Sequence, residues 1–305
     1  METFNTITYD VDDRVARLTL NRPDRGNSIT LDMPVEIAAA VERANLDPRV
    51  HVIALSSNGK GFCGGYDLVI AAEQKSEIPA EPSRWPEGSP LDLEVQRANH
   101  DPDGTWDPVL DYAMMSRNVR GFMSLFHSDK PVLCKVHGFC VGGGTDMALC
   151  SDLLVIEEKA RIGYPPSRVW GTPTTALWAF RVGVERAKRL LFTGDCLTGK
   201  QAVEWGLATE SPPEEQLDER FESLVQRVAR LPVSQLVMMK LLINQTLLGQ
   251  GLNSAQLLGT IFDGISRHTK EGYAFQQRAA EVGFKQAIRE RDEAFDNGLV
   301  PPTDN

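Results

Sequence analysis

Two glycine-rich turns each follow a short apolar run of β type. Gly61-Phe62-Cys63-Gly64-Gly65-Tyr66-Asp67-Leu68 comes directly after Val52–Leu55. Gly138-Phe139-Cys140-Val141-Gly142-Gly143-Gly144-Thr145-Asp146 comes directly after Val132–His137. Glycine lets the backbone approach a ligand closely and leaves N–H groups free to point at it. Two such turns brought together would supply two amide donors to one oxygen that gains negative charge during a reaction. Neither turn reads G-x-G-x-x-G and there is no Walker A loop, so the glycines do not predict a dinucleotide or nucleoside triphosphate site.

The elements around these turns alternate. Thr6–Asp10 and Val15–Leu20 are β-rich and flank Asp12-Asp13, which predicts a hairpin. Leu31 to Asn45 carries Val35, Ile37, Ala38 and Val41 at helical spacing. Val132–His137 and Leu153–Glu157 predict two further strands, separated by the second glycine turn and a short helix over Thr145–Cys150. Strands alternating with helices predict an α/β domain with crossover connections. Pro79, Pro82, Pro86, Pro90, Pro102 and Pro108 exclude continuous helix or strand over 71–108, which reads as an inserted loop or lid. Helical spacing returns with Met115, Val119, Phe122 and Phe126 and stops at Lys130-Pro131. The last third reads as helix, with Leu217, Phe221, Leu224, Val228 and Leu231 on one apolar face.

The 305 residues are 42% hydrophobic and 24% charged, an ordinary globular composition. Lysine and arginine number 32 against 42 acidic residues, a formal net charge of −10. A nucleic-acid partner is therefore not expected, because such proteins need a basic footprint. No apolar run approaches the ~20 residues of a membrane helix, so no membrane partner is expected. The N-terminal residues lack a basic then apolar leader pattern. The five cysteines include no C-x-x-C pair and predict buried free thiols, not disulfides or a zinc site. Together these features lead us to expect a cytoplasmic protein. His51, His127, His137 and His268 are dispersed, without metal-ligand spacing.

Several ordered motifs resemble the enoyl-CoA hydratase/isomerase (crotonase) superfamily. They are Asn21-Arg22-Pro23 with Asn27, Phe62 to Leu68, Pro131-Val132 through Gly144, Arg181 to Leu207, and Glu271-Gly272-Tyr273-Ala274-Phe275. The resemblance covers roughly residues 5–275; the 71–130 region is longer than usual and the tail is loosely matched. It implies an α/β fold, a crotonase-like spiral of ββα units over 1–210. The 71–130 stretch would be an extended insertion or lid plus a helix, and 211–305 a helical C-terminal trimerisation region. It also implies a homotrimer or a hexamer made as a dimer of trimers, and an acyl-CoA thioester ligand. Coenzyme A would be part of the substrate, with no metal and no separate cofactor. The positions matching the family's oxyanion donors are the N–H groups of Tyr66 and Gly143, flanked by Gly65 and Gly142. The CoA contacts carry over to Asp24, Arg25, Gly26, Asp67, Leu68 and Val69.

The pattern breaks at the acid–base residues. Family hydratases use two glutamates around one water. The first aligns with Asp146, a carboxylate one methylene shorter. The second aligns with Pro166, or with Ser167 if the stretch is one residue longer; neither is an adequate base alone. Tyr164, Pro166 and Trp170 would still line the thioester site. A replacement base could come from Tyr164, or from His100, Asp101, Asp103, Asp107, Asp111 or Tyr112 of the insertion. The resemblance thus implies an enzyme of hydratase/isomerase type with Asp146 as its acid–base residue. The alternatives are isomerisation, hydrolysis or decarboxylation of a CoA thioester, or acyl-CoA binding without catalysis.

Overall fold

The computed structural model describes residues 4–67, 85–296 and 298–301. Strands β1 (Ile7–Asp12) and β2 (Val15–Leu20) pair antiparallel from Ile7↔Leu20 to Asp12↔Val15. Helix α1 (Met33–Leu46) returns the chain to β3 (Val52–Ser57), which lies parallel to β2. The described part of the insertion holds only one short helix, α2 (Leu93–Asn99), before α3 (Pro108–His127). Asp107 caps α3 by accepting the Val109 N–H, and Pro108 occupies the first turn, where it forfeits no internal hydrogen bond. Strand β4 (Val132–Val136) is followed by β5 (Phe139–Val141), α4 (Gly143–Ala148) and β6 (Leu153–Ile156). Then come β7 (Arg161–Gly163), α5 (Trp178–Val182), α6 (Val184–Thr193), β8 (Cys196–Thr198) and α7 (Gly199–Glu204). Five helices complete the chain: α8 (Glu214–Ala229), α9 (Val233–Gly249), α10 (Leu252–Arg267), α11 (Lys270–Val282) and α12 (Phe284–Asp292).

The strands form two sheets, β1-β2-β3-β4-β6 and β5-β7-β8. The larger sheet is apolar where helices cover its two faces, while Arg17, Thr19, Ser56 and Lys135 line an open cleft on the α8 side. Ile53 and Leu55 face the side packed by α1 and α3, and Val52 and Ala54 meet α8 through Leu217, Phe221, Val225 and Ala229. Burying each such side chain contributes roughly 1.5–3 kcal/mol. Leu231, expected on this apolar face, lies beyond the end of α8 and is half exposed. His137 follows β4 instead of sitting inside it, and its Nε2 lies 2.9 Å from the Gly59 carbonyl oxygen. All five cysteines are buried free thiols. Among the described residues, no single helix is long and apolar enough to cross a membrane.

Candidate active site

The two glycine turns meet where the chain passes from the large sheet to the small one. A bridge joins Cys63 to Cys140, and Ile29 pairs with Tyr66. Asn27, fully buried, ties the approach loop down: its Nδ2 donates to the Asn58 and Gly61 carbonyls, and its Oδ1 accepts the Arg22 N–H. The Ile29 pairing uses the Gly65 carbonyl and the Asp67 N–H, at 2.8 and 2.9 Å. It leaves the Tyr66 N–H facing away, and among the described residues that group finds no acceptor.

The second turn delivers Gly143 as the first residue of α4, where N–H groups have no partner inside the helix. Its N–H likewise meets no acceptor among the described residues. A Cβ at Gly65, which sits at φ 95°, would lie 3.6 Å from the Gly143 nitrogen. A Cβ at Gly143 would lie 2.7 Å from Cε2 of the Tyr66 ring, so only glycine fits between the turns. Two free N–H groups brought this close are able to hold one electron-rich oxygen between them.

Asp146 sits one turn into α4 and is 1% exposed. Its Oδ1 accepts the Thr175 N–H at 3.1 Å and the Thr175 hydroxyl at 2.9 Å, while its Oδ2 is buried without a partner among the described residues. Burial pushes this carboxyl up to about 7, against the pull of the Thr174–Thr175 donors and with a further push from Asp263. The Thr174–Thr175 segment wraps the carboxyl and is followed by Ala176 at φ 54°, a strained position for a residue with a Cβ. Among the described residues the buried Tyr66 hydroxyl has no hydrogen-bond partner, and neither does the buried Thr174 hydroxyl beside it. Burial, then the neighbouring Asp146 and Asp263, hold the Tyr66 phenol well above its ordinary range.

The strip that follows β7 forms the adjoining wall. Pro166 lies beside the second turn: a Cβ at Gly142 would be 3.2 Å from its Cγ. The position is at the site, but it holds no titratable group. Tyr164 is corrected as a stand-in base, because its hydroxyl donates to the Thr172 carbonyl at 2.7 Å and burial raises its pKa. The Ser167 hydroxyl is buried without a partner. Trp170 packs its ring on Phe275, centroids 5.6 Å apart, in a cluster with Val169, Val282, Phe284 and Ile288.

The Asp67 side chain is committed to partners within the chain. Its carboxylate is 4% exposed and already held by Arg22 at 2.9 Å, the Ser28 hydroxyl at 3.0 Å and Arg25 at 3.6 Å. It therefore organises the loop carrying Asp24, Arg25 and Gly26, in which the Arg25 side chain is half exposed. Leu68 and Val69 lie outside the described residues.

None of the described candidates in the insertion aims a base at Asp146. Asp101 and Asp103 are exposed, Tyr112 is 37% exposed, and Asp107 caps α3. His100 and Asp111 turn instead towards α10, where they meet His268, a residue whose sequence position conveys no such contact. Asp111 accepts from Arg267 Nη2 at 2.7 Å and from Trp106 Nε1 at 2.6 Å, and Trp106 stacks on His268 at 4.5 Å. Atoms of His100, Asp111 and His268 lie within 4.8 Å of one another. A cation is disfavoured there, because the Arg267 guanidinium already occupies the carboxylate and both His268 nitrogens face carbonyl oxygens. Arg267 also binds Asp263, whose other oxygen approaches the Thr172 N–H, so this network backs the wall of the Asp146 site.

Two sheets joined through paired glycine turns, with a helical C-terminal region, define a crotonase-fold α/β protein. The sequence profile of the enoyl-CoA hydratase/isomerase family matches residues 10–99 and 109–278, and the chain belongs to that family. A solved enoyl-CoA hydratase from Mycobacterium smegmatis is 53% identical with a TM-score of 0.90, covering 97% of this chain and 96% of that one. The 1,2-epoxyphenylacetyl-CoA isomerase of Escherichia coli is 29% identical over 241 residues, 78% of this chain and 81% of the relative. The (E)-benzylidenesuccinyl-CoA hydratase of Thauera aromatica is 26% identical over 283 residues, 90% of this chain and 97% of the relative.

Proposed function

We propose that this protein adds water to the double bond of a 2-enoyl-CoA thioester, with Tyr66 N–H and Gly143 N–H as the oxyanion donors and Asp146 as the proton carrier. The observation that carries this reading is the pairing of two unpartnered N–H groups with a buried carboxyl that titrates near neutrality. Ionised Asp146 takes a proton from water as the water oxygen bonds to the β-carbon. The double-bond electrons move onto the thioester oxygen between the two N–H groups. The resulting enolate collapses and its α-carbon takes the proton back from Asp146, so the carboxylate is regenerated. Both N–H groups act on charge that develops during the step, where one donor contributes about 2.7–4 kcal/mol.

Pro166 supplies no second titratable group at its position and favours a second reading, double-bond isomerisation, in which Asp146 removes a proton from one carbon and returns it to another. Arg25 and the loop Asp24–Gly26 would meet the CoA moiety. We also propose assembly as a trimer or a dimer of trimers, in the cytoplasm, with no cofactor beyond the substrate's CoA. Exposed Met238, Leu242 and Ile243 on α9 and Leu258, Ile261 and Phe262 on α10 support an assembly.

The deciding experiment is turnover of 2-enoyl-CoA thioesters from short to long chain, followed by loss of the conjugated absorbance and product mass. Hydration adds the mass of one water; isomerisation leaves the mass unchanged. No reaction with any chain length overturns the hydratase reading. Because hydration needs ionised Asp146, kcat/KM is expected to rise with pH and level off above about 7.

A further inference from the structure

We infer that Tyr66 Oη, Thr174 Oγ1 and Asp146 Oδ2 form a site for one substrate oxygen: the hydroxyl on the β-carbon of a 3-hydroxyacyl thioester, or the water from which that hydroxyl comes. This rests on the proposed function and assigns the residues that hold the oxygen being added.

All three atoms are sealed from solvent and, among the described residues, have no partner. They come from distant parts of the chain, yet they are neighbours: the Thr174 hydroxyl lies beside the Tyr66 phenol, and Asp146 is close enough to act on it. The Tyr66 ring lies against Gly143, Asp146 follows one turn later on α4, and the Thr174 backbone points at Asp146 while its hydroxyl faces Tyr66. Asp146 and Thr174 are at most 1% exposed. A single buried hydroxyl without a partner is uncommon in a native structure. Two such hydroxyls beside an unpartnered carboxylate oxygen mark a place for a polar guest.

The donor and acceptor count specifies that guest. Tyr66 and Thr174 each offer an O–H, and ionised Asp146 offers a lone pair. A hydroxyl oxygen accepts two hydrogen bonds and donates one, so it satisfies all three groups at once. A methylene at the same place satisfies none. Burial and the neighbouring carboxylates keep the Tyr66 phenol protonated, so it serves as a donor and not as a base. Tyr66 supplies both a proposed carbonyl-binding N–H and this hydroxyl, which sets the oxygen site within one side chain's reach of the thioester carbonyl. The two hydroxyls thereby orient the oxygen that non-titratable Pro166 cannot.

In dehydration the balance is direct. The α-proton passes to Asp146, the electrons of its C–H bond form the double bond, and the C–O bond breaks. The leaving hydroxide takes the proton from Asp146 and departs as water, while Tyr66 and Thr174 donate to its oxygen throughout. Addition of water is the same sequence reversed.

The test is calorimetric binding of matched pairs, 3-hydroxybutyryl-CoA against butyryl-CoA and 3-hydroxyoctanoyl-CoA against octanoyl-CoA, at pH 8. Wild type is expected to prefer the hydroxylated member by about tenfold. Tyr66→Phe keeps the ring and the N–H and removes only the hydroxyl, so its preference for the hydroxylated member should fall below about threefold. Thr174→Val should lower the preference by a smaller factor. Equal affinity within both pairs for wild type overturns the inference. So does a preference that survives undiminished in both variants. Turnover of the enoyl series separates the two readings. A protein that discriminates without turnover keeps the oxygen site and loses the hydratase reading; one that hydrates without discriminating does the reverse. If no thioester binds, both fall.

Discussion

Asp146 and Asp111 are both 1% exposed, and their surroundings differ completely. Asp111 has donors at both oxygens, Arg267 at Oδ1 and Trp106 at Oδ2, with His268 Nδ1 at 3.4 Å. Among the described residues Asp146 has donors at one oxygen only, and the nearby charge is another carboxylate, Asp263. Burial is thus the same for the carboxylate that pins the insertion to α10 and for the one that proton transfer would use. What separates them is the second oxygen. A buried charge with a full set of partners is held in one state, whereas a half-partnered one is free to exchange a proton near neutral pH.

The largest effect that tests this contrast is on turnover. Asp146→Asn should lower kcat by about 10²–10⁴-fold, while the Kd for a CoA thioester stays within about threefold. Steady-state kinetics and calorimetry read the two quantities separately. A variant that retains full turnover removes Asp146 from the proposed chemistry.

Next comes stability at the other carboxylate. Asp111→Ala leaves Arg267 buried without one of its two carboxylates and should cost about 3–5 kcal/mol in urea unfolding. Asp146→Asn should cost little by the same measurement, since its Oδ1 still accepts from Thr175. Equal losses in the two variants would erase the distinction.

The pH dependence of stability sharpens it further. Between its ordinary range and about pH 7 the folded Asp146 holds a proton that the unfolded chain has released. The contribution is therefore present at low pH and lost as pH rises through that window. Relative to wild type, Asp146→Asn should gain stability from pH 5 to pH 8, by about 2.5 kcal/mol. Unfolding midpoints measured across this range would expose a flat difference and contradict the raised carboxyl.

The smallest effect concerns a third buried carboxylate, Asp67, whose partners Arg22 and Arg25 are inside and at the surface respectively. Arg25→Ala removes only the exposed partner and should change stability by about 0–1 kcal/mol. A rise in KM for CoA thioesters without a change in kcat is the expected kinetic result. A stability loss comparable to that of Asp111→Ala would mean that exposed pairing matters here as much as buried pairing.

The sequence by itself determined the local framework. The hairpin, the helix α1, strands β3, β4 and β6, the helix α3 and its stop at Lys130-Pro131 all follow from apolar periodicity and from proline and glycine placement. The glycine turns were legible for the same reason: only glycine fits where Tyr66 presses on Gly143. Their neighbour Asp146 emerged through its place in the family's motif. Tertiary structure alone decided which side chains face one another. Tyr66, Asp146 and Thr174 meet across 108 residues of chain, and Asp111 meets Arg267 across 156. A period of 2 or 3.6 tells which face of an element a residue occupies, not which distant element packs against that face. Sheet register and helix packing settle that pairing, and they gave the insertion's Asp111 to Arg267 and left Asp146 with an open oxygen.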